Sequence, residues 1–185
     1  GVTQIFSTVS AFAALKNDGS VVTWGNSDRG GDSSSVSSQL TLGVTQIFST
    51  GYSFAALKTN GSVVTWGDNR YGGDSSSVSS QLNFGVTQIF STRYAFAALK
   101  TDGSVVTWGD DSYGGDSSSV SLQLNSGVTQ IFSTETAFAA LKTDGSVITW
   151  GNSWGGGDSS AHDDKDHQDG IRSGVISLDV TQIFS

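Results

Sequence analysis

Apolar positions along the chain do not alternate cleanly with polar ones. In the stretch 86–108, Ile89 and Phe90 are neighbours, Ala97-Ala98-Leu99 is continuous, and Val105 adjoins Val106. Runs of this kind predict strands covered on both faces rather than a sheet with one wet side. Three strands are expected here: Val86–Thr92, Phe96–Lys100 and Ser104–Trp108. Thr101-Asp102-Gly103 lies between the second and third and is a strong hairpin signal, because glycine supplies the positive φ a tight turn demands. After Trp108-Gly109 comes a polar, glycine-rich loop through Gly114-Gly115. Asp116 and the three serines after it then suit either a capped helical turn, with Val120 and Leu124 four residues apart on one side, or a Ser-rich loop.

The pattern repeats. Gly-Val-Thr-Gln-Ile-Phe-Ser-Thr begins at Gly1, Gly43, Gly85 and Gly127, a spacing of 42 residues, and Val-Thr-Gln-Ile-Phe-Ser returns at Val180. The chain therefore divides into units 1–42, 43–84, 85–126 and 127–178, the last with an insertion at about 161–170, and a tail strand at 179–185, all within a single repeat domain spanning 1–185. A three-stranded sheet of this length cannot cover both of its own faces. Stacking against its copies does so, with the small alanines letting sheets approach and Trp108 filling the wider gap. The expected architecture is all-β, with four three-stranded blades in an incomplete or open propeller; a β-solenoid is the alternative. The first-type strand occurs five times and the other two only four times, which leaves one edge surplus and open to another chain.

The wording of the unit resembles the repeat of the regulator of chromosome condensation family. The residues that carry the likeness are Ala137-Phe-Ala-Ala-Leu-Lys-Thr-Asp-Gly-Ser-Val-Ile-Thr-Trp-Gly, the Gly156-Gly157-Asp158 close, and the upstream Val128 and Ile131. The resemblance extends over all four units and implies a β-propeller with one repeat per blade. Propeller-type enzyme inhibitors share that fold. The chain departs from the family pattern where Ala11, Ser53, Ala95 and Ala137 replace a common histidine, and where Gly-Gly-Asp-Ser replaces the usual Gly-Gln-Leu-Gly close. Rings of this family typically take about seven blades. The nucleotide-exchange activity of its founding member is therefore not carried over.

Composition narrows the function. Of 185 residues, 9 are Lys or Arg and 17 are Asp or Glu, for a net charge of −8. That balance argues against a nucleic-acid backbone as partner, and no apolar run reaches the ~18 residues of a membrane span, so no membrane insertion is expected. Cys and Met are both absent, which excludes disulfides and thiolate chemistry and suits an extracellular or cell-surface setting. The lack of an initiating Met marks the chain as a processed product or a piece of something longer.

Copy-to-copy comparison locates the candidate chemistry. Strand residues barely change, while two places vary: the pair Val9-Ser10, Gly51-Tyr52, Arg93-Tyr94 and Glu135-Thr136, and the loop Ser27-Asp28-Arg29, Asn69-Arg70-Tyr71, Asp111-Ser112-Tyr113 and Ser153-Trp154-Gly155. Tyr, Trp and Arg are the side chains that anchor interfaces, so Tyr52, Arg70, Tyr71, Arg93, Tyr94, Tyr113 and Trp154 make a candidate recognition face; drift at exposed positions would give the same variability. The recurring Lys16, Lys58, Lys100 and Lys142 and the recurring Asp32, Asp74, Asp116 and Asp158 are expected as strand-end charges and loop caps rather than acid–base pairs. In the insertion, Asp164, Asp166 and Asp169 before Gly170 are spaced much like a calcium loop, without the closing Glu; His162 and His167 would suit a transition metal, and a solvated acidic loop accounts for the same residues. No other cofactor is expected.

These readings point to a non-enzymatic extracellular or cell-surface module for binding, adhesion or scaffolding. Its partners would be a protein or glycan at a surface, or copies of itself head to tail. A self-assembling surface filament joined through the surplus edge strand and a propeller-type inhibitor are the alternatives.

Overall fold

A computed structural model describes residues 1–159 and the short strand Val175–Ile176. The described residues form antiparallel sheets, one per repeat. They are β1 (Val2–Ser7), β2 (Ala11–Lys16) and β3 (Val21–Gly25); then β4 (Val44–Ser49), β5 (Ser53–Lys58) and β6 (Val63–Gly67); then β7 (Val86–Ser91), β8 (Ala95–Lys100) and β9 (Val105–Gly109). The last sheet is β10 (Val128–Ser133), β11 (Ala137–Lys142) and β12 (Val147–Gly151), extended by β13 (Val175–Ile176) against β12. Strand bounds thus fall within a residue of those expected from the sequence. The four sheets stack in chain order as an unclosed arc of propeller blades, which settles propeller against solenoid.

The continuous apolar runs have a direct cause. Successive side chains on a strand point to opposite faces, and here each face feeds a different core. In β5, Phe54 and Ala56 join the core shared with the first repeat, alongside Ala11, Ala13, Leu15 and Leu40. Ala55 and Leu57 join the core shared with the third repeat, alongside Ile89, Phe96, Val106 and Trp108. The junction of the third and fourth repeats reproduces the arrangement, with Ala95, Ala97 and Leu99 against Phe138, Ile148 and Trp150.

The segment after the glycine-rich loop does turn helically. Short 3-10 turns lead into α1 (Ser79–Leu82) and α2 (Ser121–Leu124). The Asp116 carboxylate accepts the Ser118 amide at 2.8 Å, and Val120 and Leu124 are buried. Asp32 and Asp74 accept the Ser34 and Ser76 amides in the same way, at 2.8 Å each. The recurring lysines serve the junctions: Lys58 Nζ donates to the Gln39 carbonyl at 2.7 Å, and Lys142 Nζ to the Gln123 carbonyl at 2.6 Å, each in the preceding repeat.

Three polar links recur at the junctions. The amides of Val44, Val86 and Val128 each donate at 3.0 Å to the hairpin-turn carbonyls of Gly19, Gly61 and Gly103. The indole nitrogens of Trp66, Trp108 and Trp150 donate to the carbonyls of Gly30, Gly72 and Gly114 at 3.0, 3.1 and 3.1 Å. A backbone row also crosses the repeats: Val9 N donates to Gly51 O at 3.0 Å, Gly51 N to Arg93 O at 2.8 Å, and Arg93 N to Glu135 O at 2.8 Å.

Candidate functional site

The backbone row runs through the first residue of the variable pair, so it also brings the second residue of each pair beside its counterpart. Tyr52 and Tyr94, from neighbouring repeats, stack with centroids 5.4 Å apart and planes inclined by 15°. The variable loop is carried to the same place by one threonine. Thr50 Oγ1 accepts the amide of Ser53 at 3.0 Å and donates to the Tyr71 carbonyl at 3.1 Å. Thr92 Oγ1 binds the Ala95 amide and the Tyr113 carbonyl, each at 3.0 Å. The same link joins Thr8 to Arg29 at 3.1 Å and Thr134 to Gly155 at 2.9 Å. Each threonine thereby ties the turn that bears the variable pair to the end of the variable loop.

The result is one continuous ridge of tyrosines. Tyr71 lies 5.0 Å from Tyr52 and 4.7 Å from Tyr94, and Tyr113 meets Tyr94 edge-on at 4.5 Å. Edge-on and offset geometries of this kind suit the ring quadrupoles. Arginines cover the exposed ring faces. The Arg29 guanidinium carbon is 4.1 Å from the Tyr52 centroid, Arg70 is 5.1 Å from Tyr71 and Arg93 is 5.3 Å from Tyr94, within the range of a cation–π contact.

Ion pairs fix Arg70 and Arg93. Arg70 binds Asp68 through Nε at 3.2 Å and Nη2 at 2.9 Å, and that hydrogen bond holds the Asp68 carboxyl below its ordinary pKa. Arg93 reaches Glu135 in the fourth repeat at 2.9 Å, and the contact raises its guanidinium pKa. Partial desolvation, with a hydrogen bond to Tyr52 second, lifts the Tyr94 hydroxyl above the usual phenol range.

Of the residues singled out from the sequence, Tyr52, Arg70, Tyr71, Arg93, Tyr94 and Tyr113 come together. Trp154 does not join them. It occupies the loop position of Arg70 and Ser112, is 91% exposed, and packs against no other ring among the described residues. Arg29 and Glu135 complete the ridge and were not singled out. Both sit at the variable positions, so the same copy-to-copy comparison carries their signal. Asp164, Asp166, Asp169 and the tail strand Val180–Ser185 lie outside the described residues.

Clefts of about 350 and 710 Å³ flank β6 and β9, lined largely by Ser, Thr, Asp and Asn. No grouping of three or more His, Cys, Asp or Glu side chains suited to a metal ion occurs among the described residues. No helix among them is long and apolar enough to cross a membrane.

Residues 44–72 and 86–114 match the family model of the regulator of chromosome condensation repeat. The second and third repeats are thus similar to the repeat of that family. The fold of the chain is shared with Prp20p from Saccharomyces cerevisiae, at a TM-score of 0.55 and 19% identity, over 81% of this chain and 44% of the yeast protein. The yeast protein in complex with Kap60 gives a TM-score of 0.55 and 18% identity, over 81% and 43%. The chain thus spans less than half the length of these structures. No curated protein sequence matches it.

Proposed function

We propose that the chain is a non-enzymatic protein-binding module whose contact face is the tyrosine–arginine ridge, and that it works outside the cell or at its surface. The observation that carries the reading is convergence. Apart from the insertion in the fourth unit, variation among the copies is concentrated at two places, and Tyr52, Tyr71, Tyr94 and Tyr113 from those places meet in one cluster. Rigid aromatic side chains flanked by guanidinium groups give large contact area at small entropic cost. The backbone row and the threonine links hold the ridge in place before any partner arrives, which lowers the ordering cost of binding. The yeast protein of the same fold is described in terms of its binding to Gsp1p and histones and its complex with Kap60, in keeping with a protein-binding role. The absence of Cys and Met supports the extracellular setting.

The test uses labelled chain on printed arrays of folded proteins and of glycans, with the wild type set beside the Tyr52→Ala/Tyr94→Ala variant. A protein spot bound by the wild type and lost in the variant is the expected result. Loss confined to a glycan spot moves the ridge to sugar recognition. Equal binding by both removes the ridge as the contact face.

A further inference from the structure

The turn between the second and third strands carries Asp-Gly in three repeats, at Asp18-Gly19, Asp102-Gly103 and Asp144-Gly145, and Asn-Gly in one, at Asn60-Gly61. The geometry is the same in all four. The glycines have φ of 75°, 74° and 83° in the first group and 74° at Gly61. Asn60 Oδ1 accepts the Ser62 amide at 3.0 Å and the Ser62 hydroxyl at 2.7 Å. Asp18 accepts from Ser20 at 3.0 and 2.7 Å, Asp102 from Ser104 at 3.0 and 2.6 Å, and Asp144 from Ser146 at 2.9 and 2.6 Å. A side-chain amide thus occupies a seat that elsewhere holds a carboxylate.

That neighbour pair is chemically reactive. The Gly61 backbone nitrogen follows Asn60 directly, and glycine brings no Cβ to hinder its approach to the side-chain amide carbon. Once that nitrogen gives its proton to water or a buffer base, it can attack the Asn60 carbonyl carbon. A C–N bond forms, the bond from that carbon to the amide nitrogen breaks, and ammonia leaves with a proton from solvent, giving a cyclic imide. Water then opens the imide. The Ser62 amide and hydroxyl already point at the oxygen on which negative charge develops, and oriented donors of this kind stabilise such an intermediate. Asn60 is exposed, so water reaches it. The contact that opposes attack is the hydrogen bond from the Gly61 N–H to the Lys58 carbonyl at 2.9 Å. It lies at the tip of a hairpin, where local opening costs least.

We propose that Asn60 is a self-modification site: the folded chain loses ammonia there and acquires the Asp-Gly turn of its sister repeats. Opening of the imide on one side gives aspartate at position 60. Opening on the other gives the isoaspartyl isomer, whose main chain runs through the side-chain carbon and is longer by one methylene. The next repeat selects between them. The Gly61 carbonyl accepts the Val86 amide at 3.0 Å, and a Cβ on Gly61 would lie 2.7 Å from the Gly85 nitrogen, so Gly61 is closely seated. The aspartyl product leaves Gly61 in place and puts a carboxylate before the two Ser62 donors, as at Asp18, Asp102 and Asp144. The isoaspartyl product pushes Gly61 out of its seat. The change adds one negative charge to a chain of net charge −8. It falls beyond the Lys58 end of β5, while the ridge lies at the Ser53 end, so it does not depend on the ridge's role in binding.

Isoelectric focusing and peptide mapping of the folded chain, held in mildly alkaline buffer, test it. Asn60→Asp supplies the product standard. Asn60→Gln supplies the control, since its longer side chain needs a larger ring that closes more slowly. The wild type is expected to gain one more acidic band whose altered peptide contains position 60. The converted protein is expected to migrate with Asn60→Asp and to share its melting temperature, and Asn60→Gln to gain no such band over the same period. Ser62→Ala keeps the amide donor and removes the hydroxyl; it is expected to convert several-fold more slowly than wild type when folded and at the same rate in denaturant. Conversion of the wild type in denaturant but not when folded overturns the proposal, and so does an isoaspartyl form as the main product of the folded chain. Equal folded rates for Ser62→Ala and wild type overturn the part given to Ser62.

Discussion

Trp108 donates its indole N–H to the Gly72 carbonyl at 3.1 Å, so a residue in one repeat satisfies a backbone oxygen in the repeat before it. Both partners are withdrawn from water, and a buried acceptor left without its donor carries a desolvation penalty. Trp108→Phe is expected to lower stability by about 1–3 kcal/mol, seen as a fall in Tm of roughly 2–4 °C per kcal/mol for a chain of this size. Trp24→Phe is expected to shift stability by less than about 0.5 kcal/mol, since that indole is half-exposed. Equal losses in both variants would refute the role assigned to the junction bond.

The left-handed glycines Gly72 and Gly156 separate two costs. Gly156→Ala places a side chain on a left-handed backbone at a cost of about 1–2 kcal/mol, with nothing among the described residues within 4 Å of the new Cβ. Gly72→Ala carries the same backbone cost and, with the Phe96 ring seated 2.6 Å from the new Cβ, adds overpacking of about 1–3 kcal/mol more. Chemical denaturation of both variants should place Gly72→Ala clearly below Gly156→Ala; equal midpoints would show that the Phe ring yields.

Hairpin turns predict the acid response. Asp18, Asp102 and Asp144 each accept the hydroxyl and amide of the serine two residues on. The serine hydroxyl, then its amide, holds these carboxyls below their ordinary pKa. A depressed folded pKa gives stability that is present above the unfolded value, about 3.9, and is lost as pH falls through the folded value. The second repeat has Asn60 at this place, accepting from Ser62 at 3.0 and 2.7 Å without a charge. The Asp18→Asn/Asp102→Asn/Asp144→Asn variant is therefore expected to keep the turns and lose part of the acid sensitivity. Melting temperatures taken between neutral pH and about pH 2 check it; identical slopes for variant and wild type would contradict it.

At alkaline pH the ridge makes its own prediction. Tyr94 has a raised pKa, from desolvation first. A raised folded pKa means stability that is whole below the unfolded phenol value, about 10, and lost as pH climbs through the folded one. Ultraviolet titration of tyrosinate should show a late component that Tyr94→Phe removes. A titration curve that keeps its late component in Tyr94→Phe would place the shifted phenol elsewhere.

Much of the fold was legible because the repeat arithmetic and the unbroken apolar runs carry the same message. Ala97-Ala98-Leu99 has no polar face because alternate residues enter different cores, and the run itself says so. The helical turn at Ser121–Leu124 was readable from Val120, Leu124 and the Asp116 cap, although a loop fitted the same letters. The ridge was legible as a set of variable residues but not as a cluster. Thr50, which joins the loop at Tyr71 to the turn at Tyr52, is constant across the copies and so looked like scaffold. Trp154 shows the opposite failing: its residue type suggested an anchor, but Gly155 follows it where Tyr71 follows Arg70, and it meets none of the tyrosines. The exposure of Phe12 and Trp24 was invisible in the letters, since identical residues are buried in the other three repeats.

The junctions also bear on how such a gene changes. Each repeat meets its neighbours through the same alanines, the same indole bond and the same glycine seat. Unequal recombination that deletes or duplicates 42 residues leaves every remaining interior joint intact. A change in copy number thus needs no new kind of joint, and each added copy lengthens the arc by one variable pair and one variable loop.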